Sequence, residues 1–315
     1  MPVVSVTHGD DLDGLTCGAL LHRLFDAKVV RANYDDLEKI LAKLGEETER
    51  LFVTDLNIRD ALVPNISRIA RFAPVTLIDH HPIDASVRWG LDGMGVEVVH
   101  DTRDCASALV YNHYRDRLER DAARITAYAA VSDMFEDGPV ASRLLDGMDR
   151  KFVHHEALLL SSALAADQSD AFKDRVVADL SAYSYPHRIR GAVEAAVSDL
   201  EKIVKIREMV PGRAVVIGSL AHMESTEEST GEIANIVMDT LLVPVGLSWK
   251  AQPDGMVNIS LRGERRLRHH LGELAARLSK AHGGFGGGHA RASGAKIPRS
   301  ELDAFIAEMA QALNA

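Results

Sequence analysis

The apolar positions of the chain change their spacing twice. Up to about residue 100, short β-branched runs alternate with segments whose apolar residues recur every three or four positions. This predicts strands at Val3–Thr7, Lys28–Asn33, Leu51–Asp55, Val75–Asp79 and Val96–Val99, with helices at Leu15–Phe25, Asp35–Leu44 and Arg59–Phe72 between them. Strands alternating with helices argue for a mainly parallel sheet covered on both faces. From about 104 to 209 the pattern is almost entirely helical, broken by Ala182-Tyr-Ser-Tyr-Pro-His187. A second mixed rhythm follows: a strand at Arg213–Ser219, a helix at Thr230–Leu242, a hairpin of Pro244–Lys250 and Met256–Arg262, a helix around 268–281, a strand at Arg291–Ile297 and a helix at Glu301–Leu313. The fold class is α/β: an N-terminal domain with a mainly parallel sheet and flanking helices (1–185), a helical linker (186–210) and a smaller C-terminal α/β domain (211–315).

The polar residues that close the strands carry the chemistry. The stretch His8-Gly9-Asp10-Asp11-Leu12-Asp13-Gly14 follows the first strand and leads into a helix. Asp55 ends the third, and Asp79-His80-His81 ends the fourth. In a parallel sheet these turns lie at the carboxyl ends of the strands, where ligands bind. A lone Asp after a strand is ordinarily a turn or cap residue. The same arrangement at three strand ends, joined by Asp133 in an apolar helical context, points instead to a cation, because crowded carboxylates repel one another. Carboxylates mixed with imidazoles suit Mn2+, Mg2+ or a similar ion. His8, Asp11, Asp13, Asp55, His80 and Asp133 could hold two, sharing a carboxylate, as two-metal phosphoryl chemistry requires.

Charge and composition narrow the picture. The 315 residues carry a net charge of −10, which argues against broad, non-specific duplex DNA binding. Between Arg262 and Arg299 there are nine Arg or Lys and two Glu, a local +7 that leaves −17 for the remainder. Within that segment Gly283-Gly-Phe-Gly-Gly-Gly288 is followed by His289 and Arg291. Five glycines in six residues let backbone N–H groups approach an anion, and His289, Arg291 and Arg262 add charged donors for a phosphate. A flexible hairpin with surface charges is the plainer reading of that run taken alone. Met1-Pro2 leads straight into a strand with no basic leader, and no apolar run approaches a membrane span. Cys17 and Cys105 form no C-x-x-C pair, so a cytoplasmic location is expected.

Taken together, "HGDDLDG", Asp55, "DHH" at 79–81 and Asp133 resemble the four ordered motifs of the DHH phosphoesterase superfamily. "GGFGGGHARASG" at 283–294 resembles the glycine-rich signature of the DHH-associated C-terminal domain. The resemblance spans essentially the whole chain. It implies two Mn2+ ions in the N-terminal domain and substrate held by the C-terminal one. Size and domain pair are most similar to nanoRNases that also act on 3′-phosphoadenosine 5′-phosphate. By position it implies His8, Asp11, Asp13, His80 and Asp133 as metal ligands, Asp55 as the bridging ligand and His81 as the contact to the scissile phosphate. Arg262, Gly286, Gly287, Gly288, His289 and Arg291 are the candidate substrate contacts. Whether Asp10 or Asp11 ligates stays open; Asp11 is preferred because Asp11-Leu12-Asp13 reproduces a D-x-D step. The expected activity is hydrolysis of short oligonucleotides or small nucleotide phosphates by water activated between two metals. The substrate would be a small nucleotide or short single strand, with no membrane partner and with a homodimer as a compatible assembly. The alternatives are a cyclic-dinucleotide phosphodiesterase, a single-strand exonuclease, or a non-catalytic nucleotide-binding module.

Overall fold

Alternate residues of the first strands face opposite ways, and both faces are buried, so each strand needs helices on two sides. The computed structural model describes residues 1–225 and 229–314, and the chain divides into two compact units, Met1–Leu200 and Glu201–Ala315. In the first unit β1 (Val3–His8), β2 (Lys28–Ala32), β3 (Arg50–Thr54), β4 (Val75–Asp79) and β5 (Glu97–His100) form an all-parallel sheet in the order β2-β1-β3-β4-β5. Helices α1 (Leu12–Phe25), α2 (Leu37–Ala42), α3 (Val63–Ala70) and α4 (Ala85–Gly93) connect successive strands. Then come α5 (Ala106–Tyr114), α6 (Ala122–Ser132), α7 (Ala141–Asp146), α8 (Arg150–Ala166) and α9 (Asp170–Ser181).

Two cores sandwich this sheet. Val4, Val6, Leu51, Val53 and Leu77 pack against Leu37, Leu41, Ile66, Ile69 and Leu91 from α2, α3 and α4. On the other face Phe52 and Ile78 meet α1, which is buried from Leu12 to Leu21, and behind it α5, α6, α8 and α9. The chain leaves β1 in one direction to reach β2 and returns across it to β3. That reversal opens a crevice at the carboxyl ends of β1 and β3.

Helix α10 (Ala192–Arg213) begins in the first unit and ends in the second. The second unit holds β6 (Val215–Ile217), β7 (Leu220–Glu224), α11 (Thr230–Leu241), β8 (Val245–Ala251), β9 (Met256–Gly263), α12 (Leu271–Ala281), β10 (Phe285–Gly288), β11 (Ala292–Pro298) and α13 (Leu302–Leu313). Its mixed sheet runs β10-β11-β9-β8-β7-β6. Leu247, Ile259 and Ile297 pack on α12 and α13, while Ala221 and Met223 pack on α11 and on Ile206 and Val210 of α10.

Several local expectations are corrected. Helix α4 lies outside the expected elements, because Gly90 and Gly93 weaken its periodic signal. The strand expected to start at Arg213 starts at Val215, because α10 continues through Pro211 and Gly212 as far as Arg213. The glycine-rich stretch, expected as a loop, is an edge strand: Gly286, Gly287 and Gly288 pair with Ala295, Gly294 and Ser293. Glycines on both sides let α12 lie directly on the strand, since a Cβ on Gly272 of the helix would fall on the Gly288 carbonyl and one on Gly286 would press on Ser279 and the Ala275 carbonyl.

Gly14 matters for the crevice in the same way. A Cβ there would fall on the carbonyl of His8, where α1 passes the end of β1. Gly14→Ala should therefore cost about 1–3 kcal/mol by overpacking, read as a lower urea midpoint in the presence of a chelator.

Candidate metal centre

Each acidic or imidazole side chain of the crevice is delivered by the end of an element. His8 closes β1, and Asp11 caps α1, accepting the Gly14 N–H at 2.9 Å with its other oxygen 3.5 Å from His8 Nε2. Asp13, in the first turn of α1, is buried and accepts two amides at the start of α5, from Ala106 (2.8 Å) and Ser107 (3.0 Å). That helix start offers unpaired N–H groups and positive dipole, so it holds a carboxylate that burial alone would disfavour. Asp55 follows β3 with φ of +61°, a left-handed conformation that Asp tolerates better than most residues. Its Oδ1 lies 3.2 Å from His80 Nε2, which is also 3.8 Å from Asp133 Oδ2 at the end of α6. Asp104, buried beyond β5, accepts the Val140 and Ala141 amides and so ties down the segment that follows Asp133.

Electrostatics follow from this crowding. Burial, with Asp13, Asp11, Asp79 and Asp133 around it, drives the Asp55 carboxyl well above the carboxylate range. Asp133 is pushed up to about 8 by burial and then by Asp13 and Asp11. Asp11 is raised by burial, with His8 opposing and Asp13 adding. Burial also lowers His80, favouring the neutral ring that binds metals.

His81 has a firmer partner than Asp55, from which its Nδ1 lies 3.8 Å. Burial works against its charge, yet Asp79 raises it by accepting from Nδ1 at 2.8 Å. In spite of burial, Asp79 is held below its usual range by His81 and by the Leu56 amide; the Asn57 amide donates to the same oxygen as Leu56. The other nitrogen of His81, Nε2, faces the Tyr34 hydroxyl at 3.3 Å, and the Tyr34 ring stacks on His8. His100, ending β5, bonds the His81 carbonyl at 2.7 Å.

These residues fit divalent ions. Asp13, His80 and Asp133 each offer a ligand atom within 4.8 Å of the others, and so do Asp55, His80 and His81. Among the described residues His8 Nδ1 and Asp133 Oδ2 have no hydrogen-bond partner though buried, a costly state that a cation would relieve. Of the two adjacent aspartates in the first turn, Asp11 reaches His8, whereas Asp10 turns away to Lys173 Nζ at 2.6 Å.

The second unit places its candidates around one strand end. Arg262 of β9 pairs in register with Ala292, and its guanidinium lies over Gly231, where a Cβ would collide with it. It is half-buried, bonds the Leu261 carbonyl at 3.0 Å and has no carboxylate partner among the described residues; burial lowers its pKa. His289 and Arg291 are exposed on the β10–β11 turn. That turn is held by the Leu271 and Gly272 amides, which donate to the carbonyls of Ala290 and His289. The first amides of α12 are thereby already satisfied. Tyr34, His100, Asp104 and Lys173 carried no periodic or motif signal, and only the tertiary fold brings them to the crevice.

Residues 213–315 match the DHHA1 domain family model. No curated protein matches the chain by sequence. Among solved structures, the pGpG-specific phosphodiesterase PggH from Vibrio cholerae is similar over 99% of both chains, with 16% identity and a TM-score of 0.62. A DHH domain described as belonging to a family of ribosomal proteins gives 18% identity and a TM-score of 0.71, covering 98% of this chain and 86% of that one. RecJ from Thermus thermophilus, in complex with Mn2+, gives 14% identity and a TM-score of 0.65, covering 99% of this chain but 52% of that one. At these identities the likeness is one of fold.

The raised carboxyls make stability depend on pH when no metal is bound. Asp133 keeps its proton in the folded chain up to about 8 but loses it near its ordinary 3.8 when unfolded, so folding stability falls as pH rises through that window. Urea titrations in chelator should show lower stability at pH 8 than at pH 5. Asp133→Asn should flatten that slope, and adding Mn2+ at pH 8 should restore stability to the wild type.

Proposed function

We propose that this chain, a DHH-superfamily protein with a DHHA1 domain at residues 213–315, is a divalent-metal phosphoesterase acting on dinucleotides, short oligonucleotides or small nucleotide phosphates. The observation that carries the reading is the convergence of His8, Asp11, Asp13, Asp55, His80 and Asp133 on one crevice, with His8 Nδ1 and Asp133 Oδ2 unpartnered among the described residues. PggH, whose name declares a pGpG phosphodiesterase, and RecJ, solved with Mn2+, share the fold and support it. These six residues would hold two ions, Mn2+ by preference, with Asp55 as the carboxylate that both would share. When bound, such ions stabilise phosphoryl oxygens and make water acidic enough to act as a nucleophile at neutral pH.

The chain's own groups do the rest. Asp13 anchors α1 to α5, so the ligand-bearing turn keeps its shape as charge is neutralised. Asp79 fixes the His81 ring and favours its protonated form, leaving Nε2 to donate to an anionic phosphate oxygen. In the second unit we assign Arg262, His289 and Arg291 to a substrate phosphate. Arg262 is the strongest of these, since a half-buried guanidinium without a carboxylate suits an anionic ligand. Of Gly286, Gly287 and Gly288, the middle glycine would admit substrate close to the β10 backbone, since nothing lies beside it, whereas Gly286 is covered by α12 and Gly288 by the start of β11.

The decisive experiment is a Mn2+-loaded substrate panel of phosphoadenosine phosphate, linear dinucleotides, longer single strands and cyclic dinucleotides. Turnover should be highest on the linear dinucleotides and phosphoadenosine phosphate, and chelation should abolish it. Rates should fall steeply beyond a few nucleotides, because further phosphates meet a chain that carries −17 outside residues 262–299. Equal rates on long strands would favour an exonuclease. Separately, Arg262→Ala and Arg291→Ala should keep both ions and mainly raise KM. Loss of one charge-assisted hydrogen bond costs roughly 1.5–3 kcal/mol, about ten- to a hundredfold in kcat/KM.

A further inference from the structure

Asp10 and Asp11 are neighbours in one turn, and either could be presented to a cation. Lys173 distinguishes them. It sits on α9, with a side chain only 9% exposed, and its one ion pair among the described residues is to Asp10. Residues 170, 173 and 174 share a face of that helix, at spacings of three and four. Asp170 holds Arg31 of β2 at 2.7 Å and Asp174 holds the same guanidinium, which fixes α9 against the end of the sheet. Lys173, between those two acids, is thereby aimed at the turn after β1. Ser169 caps the helix by accepting the Phe172 amide, so the first turn of α9 is rigid where the lysine departs.

We propose that Lys173 is a positioning residue of the metal centre: it draws the Asp10 carboxylate out of the crevice and so makes Asp11 the ligand beside His8. The inference rests on the metal-centre reading above. Its physical basis is competition. Asp11, Asp13, Asp55 and Asp133 already crowd the crevice, and a cation among them would attract a fifth carboxylate on the adjacent residue. A buried ammonium offers Asp10 a partner in the opposite direction. It also leaves the Asp11 side chain free to bond the Gly14 amide and keep α1 in register.

The test is metal binding, read by calorimetry and by the electron paramagnetic resonance spectrum of bound Mn2+, without substrate. Lys173→Met keeps the length of the side chain and suits its buried surroundings. It should weaken Mn2+ binding about tenfold, as loss of outer-shell partners does, and should change the spectrum as Asp10 enters the ligand set. Asp10→Asn combined with Lys173→Met removes the competitor as well, and should return affinity and spectrum to those of the wild type. A merely structural lysine would leave the double variant as impaired as the single one, and that result would overturn the proposal. So would a wild-type spectrum and affinity in Lys173→Met. If Lys173→Met does not fold, shown by thermal unfolding in chelator, Lys173→Gln with and without Asp10→Asn is read in the same way. Wild-type protein that takes up no Mn2+ would overturn the metal-centre reading itself, a result distinct from altered binding in the variants alone.

Discussion

Mutual repulsion among buried carboxylates is the constraint around which the first unit is arranged. Asp11, Asp13, Asp55, Asp79 and Asp133 converge on one crevice, and burial together with like charge drives Asp55 and Asp133 far from their usual ionisation. A fold selected for stability alone would not gather them, because each ionised pair at this depth costs energy that packing elsewhere must offset. The chain tolerates the cluster by giving some members fixed donors and leaving others without. Asp13 takes two amides from the start of α5, and Asp79 takes two backbone amides beyond β3 and the His81 ring. Asp133 Oδ2 and His8 Nδ1 have no hydrogen-bond partner among the described residues. The division separates carboxylates anchored by fixed donors from polar atoms left without one.

That division also explains why the strand order matters. A parallel sheet places all its strand ends on one edge, but flanking helices would normally cover them. The reversal between β1 and β3 keeps the helices apart there, so His8 and Asp55 share an open crevice. Gly14 then lets α1 start immediately above β1, which brings Asp11 and Asp13 back over the strand they follow. Close backbone approach, strand reversal and charge crowding are three aspects of one local design.

Much of this was legible in the residues. The five parallel strands follow from β-branched runs, and the ligand candidates follow from acidic and imidazole residues placed at their ends, a pattern visible without any fold. What periodicity could not carry is contact between distant segments. Lys173 is one charged residue among many on an amphipathic helix until α9 is docked beside β2 and its acids grip Arg31. Tyr34 follows an ordinary strand, and its place over His8 and His81 depends on how β2 ends. The choice between Asp10 and Asp11 was open for the same reason: both occupy one turn, and what separates them is 163 residues away.

The glycine-rich segment shows the opposite failure, in which composition suggested a conformation that packing does not allow. Five glycines in six residues permit an open anion-cradling loop, yet they permit equally a strand with no side chains to keep a helix away. The second outcome prevails because α12 has apolar residues to bury. Leu271, Ala275 and Leu278 enter the core under the sheet, which draws the helix down until Gly272 meets Gly288. The amides that a free loop would have turned to a phosphate are in part committed: His289 N–H bonds Ala292, and the first amides of α12 bond the turn. The anion recognition we propose for this unit therefore falls chiefly to side chains. Arg262 has the burial, and the lack of a carboxylate partner among the described residues, that such a role demands. His289 and Arg291 sit on a turn tied to α12 by backbone hydrogen bonds, and their side chains are exposed.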